Sequence, residues 1–344
     1  MPLPHPPIRA TAVPLLLALI ASACSSDDLS APPEPTESTL TVDASAGWAF
    51  ASIADERVVS VSDPAASADW DIGFNATSVM LNGGAAGPGG VVGYCLCQNA
   101  GASTADIIAM TAESELADFD AVSAADIPPE SSFESEALQP AIQGWFTGTG
   151  ATAVAASDQA WLLRLQDGTS YAKLRVTALG EPTAAHAGQV TLEYAVQSTA
   201  EAAFGATQTV TLDAASATGL DLNSGSVTPA AGEWDLSLEG FTLRTNSGVS
   251  GSGAVGATPS PEPFEVVTTA AVDSRAYQAD RFAGVFGSHP WYQYNLTGEN
   301  LIHPSFDVYL IKRGADVYKV QLIDYYSTAG EPRNISIRYA RLTE

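Results

Sequence analysis

The chain has 344 residues, 46% of them hydrophobic, and carries 14 Lys and Arg against 39 Asp and Glu, a formal net charge of −25. That is enough apolar material for one large or two medium cores. A surface so negative repels phosphate backbones and excludes autonomous nucleic-acid binding, and no apolar run in the body of the chain is long enough to cross a bilayer.

At the N-terminus Arg9 precedes a 13-residue apolar run, Thr11 to Ala23, that contains Pro14 and ends in small residues before Cys24. A bilayer needs roughly 20 residues, so residues 1–23 read as a cleaved export signal. Ala21-Ser22-Ala23 before Cys24 resembles a bacterial lipoprotein box, which implies a lipidated Cys24 as the mature N-terminus; ordinary secretion with Cys24 free or paired is the alternative. Residues 24–38 are rich in acids, serine and proline. Such a segment stays solvated and acts as a tether reaching ~40 Å from a membrane.

The body begins with LTVDAS, Leu40 to Ser45, and then DWDIGF, in which Trp70, Ile72 and Phe74 alternate with Asp71, Gly73 and Asn75. Alternation with period two predicts antiparallel strands with one buried and one wet face. A glycine-rich stretch from Gly83 to Gly93 leads into YCLC, residues 94–97. Thr104 to Phe119 has the only plausible helical period. Trp145, Lys173 and the strand VTLEYA, Val190 to Ala195, close this half, and Ser198 to Ala206 forms a short joint.

The second half restates the first. VTLDAA, Val210 to Ala215, answers LTVDAS at an offset of 170, and EWDLSLEGFTLRTNSGVSGSGAVGA answers DWDIGFNATSVMLNGGAAGPGGVVG at 164 without a gap. Seven identities fall in order there, including Trp70/Trp234, Asp71/Asp235 and Asn82/Asn246. Further on, Phe119 answers Phe264, Trp145 answers Trp291, Lys173 answers Lys319, and VTLEYA answers ISIRYA, Ile335 to Ala340. Tyr318, Val320 and Leu322 alternate with Lys319 and Gln321, again a strand. The chain is therefore expected to form two tandem all-β antiparallel domains with few short helices, residues 39–197 and 207–342, each with its own core and packed together across the joint.

GSGAVG, Gly251 to Gly256, spells GxGxxG, but ATPSPEP follows it, so no helix can open on the last glycine to hold a pyrophosphate. A turn is the better reading. No GxSxG elbow, HExxH pair, CxxC or EF-hand loop is present, and the carboxylates are scattered, so the chain is expected not to be an enzyme. Cys95 and Cys97 are too far apart on a flat strand to bond. They either pair across a tight turn, as exported thiols do, or serve as a soft metal or redox site. The offset-164 counterparts, Pro259 and Pro261, show that the repeat does not require them.

His289 and His303 flank Trp291, Tyr292 and Tyr294, an imidazole–aromatic set suited to haem iron and a porphyrin face. Two loop histidines beside prolines are the plainer account of the same residues. The repeated tryptophans point first to core packing. Lys312, Arg313, Lys319, Arg333, Arg338 and Arg341 gather in the last 44 residues, as a strip for an anionic ligand or as partners of cross-strand carboxylates.

EWDLSLEGFTLRTNSGVSGSG, WYQYNLTGENLIHP and VYLIKRGADVYKVQLIDYYSTAGEPRNISIRYARL, spread through Glu233 to Leu342, resemble the HmuY family of bacterial haem-binding lipoproteins. The first half shares DWDIGF, NGGAAGPGG, YAKLRV and VTLEYA with the same pattern. The resemblance implies an all-β lipoprotein, anchored by its lipid at the outer membrane or cell surface, that binds haem and hands it to an outer-membrane receptor. It implies two axial side chains on the iron, for which His289 and His303 are the histidines of that region and Met80 and Met110 the methionines of the first copy. The alternatives are a structural or adhesive module that has lost haem, and a metal or redox site at Cys95 and Cys97.

Overall fold

Period-two alternation produces strands almost throughout. The computed structural model describes residues 37–199, 202–229, 233–270 and 276–342; the expected signal, Cys24 and nearly all of the tether lie outside them. The protein is all-β, with three short α-helices among the described residues, Thr104–Ala109, Leu116–Ala121 and Val285–Ser288. The first two lie in the stretch expected to be helical, which is broken between them at Met110 to Glu115. None of the helices is long and apolar enough to cross a membrane.

Two five-stranded antiparallel sheets carry the architecture. One runs Ser38–Asp43, Pro332–Leu342, Asp316–Tyr326, Val308–Arg313, Val91–Cys95. The other runs Gln208–Asp213, Gln189–Gln197, Tyr171–Gly180, Trp161–Arg164, Gly256–Pro259. Position by position these are equivalent strands of the two sequence copies. The first sheet takes its outer strands from copy one and its central three from copy two; the second sheet does the reverse.

The expectation of one core per copy is thereby corrected. One core joins Val42, Ile72, Phe74 and Val91 to Tyr309, Val320 and Ile337, while the other joins Trp161, Leu174 and Leu192 to Leu212, Leu236 and Val255. Residues 39–197 and 207–342 are units of sequence, not of folding. The joint at 198–206 connects two strands that pair directly with each other, so it is the connection of a hairpin and separates nothing. Exchange of this kind keeps the pattern of strand pairing, because each element meets the equivalent of its own partner.

The chain passes from the first body to the second at Ala137–Gln139 and returns at Arg281–Ala283, and these two strands pair antiparallel. Arg281 faces Gln139, Phe282 faces Leu138 and Ala283 faces Ala137. Glu136 and Asp280 precede the crossings and perform matching tasks. Glu136 accepts the Leu81 N–H (2.9 Å) and Asp280 accepts the Thr245 N–H (3.1 Å). Glu136 is 3% exposed, its Oε2 has no partner, and burial pushes its carboxyl up to about 7.

Several polar residues of the alternating strands, Asp71, Lys173, Lys319, Gln321 and Arg338 among them, are not on wet faces. A second apolar layer, including Phe119, Val122 and Leu310, covers the other side of the first sheet. Lys319 points there and donates to the carbonyls of Phe119 (2.9 Å) and Val122 (3.1 Å). Its repeat-mate Lys173 donates to the carbonyls of Phe264 (2.8 Å) and Val267 (3.1 Å). Each lysine thus binds the other copy's loop. Asp71 is likewise buried, accepting from the Ile53 N–H (2.7 Å) and from Arg313 (2.7 Å).

The repeated asparagine–glycine pattern has a local cause. Asn82 Nδ2 donates to the Trp70 carbonyl (2.8 Å) while its Oδ1 accepts the Gly89 N–H (2.9 Å); Asn246 does the same with Trp234 (2.9 Å) and Gly253 (3.1 Å). A Cβ at Gly87 would stand 2.2 Å from Asn82 Oδ1, and one at Gly251 would stand 2.1 Å from Asn246 Oδ1. The glycines are required by a side chain of the protein itself, and GSGAVG is a loop leading into the strand Gly256–Pro259.

Candidate functional site

The hairpin formed by Tyr292–Tyr294 and Ile302–Pro304 pairs Tyr292 with Pro304, Gln293 with His303 and Tyr294 with Ile302. Its tip is turned by Asn295, Gly298 and Asn300, all at positive φ, and is tied by the Asn300 N–H to Asn295 Oδ1 at 2.7 Å. The Ile302 N–H donates to the Tyr326 hydroxyl (2.9 Å), which fastens the hairpin to the end of the Asp316–Tyr326 strand.

Between hairpin and strand lies an open groove of about 510 Å³ lined by Tyr292, Tyr294, Tyr325, Tyr326, Leu301 and Arg333 among others. Four aromatic faces and an aliphatic wall suit a flat apolar ligand. Arg333 supplies charge. Of the six basic residues near the C-terminus, Lys312 pairs with Glu130, Arg313 with Asp71 and Arg341 with Asp316. Lys319 caps carbonyls and Arg338 donates to Gln321 and the Ala112 carbonyl. Among the described residues, the Arg333 side chain has no hydrogen bond or ion pair, so its guanidinium is available to an anion.

The sequence-expected site residues divide here. Tyr292 and Tyr294 line the groove, and Tyr294 is 54% exposed. Trp291 does not: it is 2% exposed, and its indole N–H donates to the Thr77 carbonyl at 3.0 Å. It belongs to the core, as do Trp70 and Trp145. Strand alternation turns Gln293 and His303 away from Tyr292 and Tyr294, and His303 Nε2 is buried without a partner. His289 follows the short helix Val285–Ser288, with Nε2 at 3.8 Å from Glu134 Oε1. Neither histidine lines the groove, and Met110 is also absent from it.

A second groove of about 450 Å³ lies where the crossing strands meet the first body and includes Trp48, Met80, Phe282, Phe286 and Tyr292. Tyr292 therefore stands on the wall between two cavities. Sequence reasoning did not single out Tyr325 and Tyr326, although the DYYS pair at a strand end was a visible signal. Arg333 was seen only as one of six basic residues.

Cys95 and Cys97 form a disulfide. The turn that this requires is present: the strand ends at Cys95, Cys97 has φ of 51°, and the Ala100 N–H donates to the Cys97 carbonyl at 3.2 Å. With both sulfurs bonded to each other, the pair is not a metal ligand set in this state.

Residues 44–194 match the HmuY protein family. The match falls on the first copy, whereas the resemblance in sequence is fullest in the second. HmuY-type segments of copy one are thus divided between the two bodies. Among solved structures, the chain is similar to a putative HmuY-like heme-binding protein from Bacteroides vulgatus at 12% identity, covering 91% of this chain and 96% of that one, with a TM-score of 0.36. It is similar to a putative lipoprotein from Bacteroides fragilis at 11% identity, covering 91% and 95%, with a TM-score of 0.34. An apo HmuY analogue from Tannerella forsythia aligns at 19% identity over 40% of this chain and 85% of its own, with a TM-score of 0.16. None of the three superimposes closely enough to argue from. No curated protein matches the chain.

Proposed function

We propose that the protein is an exported, non-enzymatic surface lipoprotein that binds haem in the tyrosine-lined groove. The observation that carries this reading is the combination of Tyr292, Tyr294, Tyr325 and Tyr326 with the unpaired Arg333 at one cavity. The rings offer faces to a porphyrin and the guanidinium offers charge to a propionate. Of the iron ligands known for haem, the lining provides tyrosine phenols and neither histidine nor methionine. Axial ligation by His289 and His303 has no support in their placement. Lipid anchoring through Cys24 and delivery to an outer-membrane receptor rest on the sequence pattern and the family.

Hemin titrated into the purified chain tests the proposal. The expected result is a saturable Soret shift at one hemin per chain, weakened by Tyr292→Ala and by Arg333→Ala and retained in His289→Ala and His303→Ala. Absence of a saturable shift overturns haem binding and favours the structural or adhesive reading, which the absence of both histidines from the groove lining also favours. Retention in the tyrosine and arginine variants with loss in Met80→Ala moves the ligand to the second groove.

A further inference from the structure

The Cys95 and Cys97 sulfurs and a ring nitrogen of His289 all lie within 4.8 Å of one another, and among the described residues no other group of His, Cys, Asp and Glu is so placed. We propose that these three side chains form a redox-gated site for a soft metal ion, closed while the disulfide stands and opened by a dithiol reductant. The site is separate from the tyrosine groove and does not depend on haem binding.

The second body serves as an internal control. There the strand Gly256–Pro259 occupies the edge that Val91–Cys95 occupies in the first sheet, and Pro259 and Pro261 stand where Cys95 and Cys97 stand. Gln143 is the counterpart of His289. The fold is thus built once with all three donors and once with none, so the donors are an addition to it. A disulfide closing so short a loop also restricts the unfolded chain very little, because that restriction grows with loop length. Stabilisation is a weak reason for the bond to be there.

His289 is held from two sides by its main chain. Its N–H donates to the Val285 carbonyl (2.8 Å) and its carbonyl accepts from the Tyr309 hydroxyl (2.9 Å). Its ring is exposed to solvent, which leaves an entry path. Glu134 lies beside the ring and is itself oriented by the Ser288 hydroxyl at 2.9 Å. A carboxylate next to a ligating imidazole is the usual outer partner that fixes the ring and raises its basicity.

The chemistry balances. A dithiol gives two hydrogens to the Cys95–Cys97 bond, leaving two cysteine thiols and the reductant as its own disulfide. A soft or borderline metal ion then displaces the two thiol protons to solvent and meets two thiolates and one neutral imidazole. Two sulfurs and one nitrogen favour zinc or copper(I) over hard cations, and three protein ligands leave a fourth position open.

Cobalt(II) reports such a site through its sulfur-to-metal charge-transfer band. The full chain is reduced with a dithiol, desalted under argon and titrated with cobalt(II), with the oxidised chain in parallel. The expected result is one equivalent bound with the thiolate band in the reduced chain, no band in the oxidised chain, loss of the band in Cys97→Ser, and affinity reduced at least about tenfold in His289→Ala. The site is overturned by absence of the band in a reduced chain that titrates two free thiols and keeps its circular dichroism. It is equally overturned by undiminished affinity in a folded His289→Ala.

Discussion

The Lys319 ammonium lies 4.5 Å from the centre of the Phe119 ring and donates to the same residue's carbonyl, a contact spanning 200 positions of chain. Lys173 stands 4.5 Å from the Phe264 ring in the equivalent way. A buried ammonium is tolerated here because carbonyls and a ring face replace its water. Lys319→Met keeps the apolar stem and strips these carbonyls of their donor. It is expected to lower stability by about 2–3 kcal/mol in urea unfolding; a change within experimental error would show that the lysine is dispensable.

Glu136 makes stability depend on pH. Its folded-state carboxyl titrates at about 7, above the ordinary 4.5, so the folded state holds a proton that the unfolded state has already released. The associated stability is fully present below about pH 4.5 and is lost as pH rises through about 7, by up to about 3 kcal/mol. Glu136→Gln keeps an oxygen for the Leu81 N–H and removes the titration. Melting temperature followed from pH 4.5 to 8 is expected to fall less steeply in the variant, and an identical slope would remove Glu136 as the source.

Asp71 and Asp235 are repeat-mates in different surroundings. Asp71 has Arg313 at 2.7 Å, whereas among the described residues Asp235 has no ion pair, its carboxyl raised chiefly by burial despite the Leu222 N–H. Arg313→Ala leaves a buried carboxylate uncompensated and is expected to destabilise by about 2–3 kcal/mol, toward the low end for a buried pair because Arg313 is partly exposed. Adding Asp71→Asn is expected to restore part of the loss. Additive effects in this double-mutant cycle would mean that the two do not interact.

Gly251→Ala forces a methyl against the Asn246 side chain that organises the loop. The expected destabilisation is about 1–3 kcal/mol, and Gly87→Ala acts in the same way on Asn82. Neutral melting temperatures in both variants would show that the asparagine can move aside.

Much of this was legible. The pairs Lys173/Lys319, Phe119/Phe264 and Asn82/Asn246 announced the duplication, and alternation announced the strands. What could not be read was which copy each strand would join. Two copies of one pattern offer nearly the same contacts within a copy and across copies, so self-pairing and exchange are close in energy. The path of the few residues around Glu136 and Asp280 selects between them. Trp291 was placed with the ligand because core and groove aromatics adjoin in PWYQY. The alternation that separates Tyr292 and Tyr294 from His303 was present in the same letters. Lys319 and Arg338 were expected in an anion-binding strip or in cross-strand ion pairs, whereas Lys319 donates to main-chain carbonyls and Arg338 to Gln321 and the Ala112 carbonyl, acceptors that leave no mark in a sequence.

The interlaced path gives the hairpin connection at 202–206 an unexpected property. A protease cutting there releases two pieces, yet each piece still contributes strands to both sheets. The nicked protein is expected to co-migrate as one particle under native conditions and to separate only in denaturant. Either piece made alone lacks partners for its sheet edges, and the two are expected to regain solubility by complementation when expressed together.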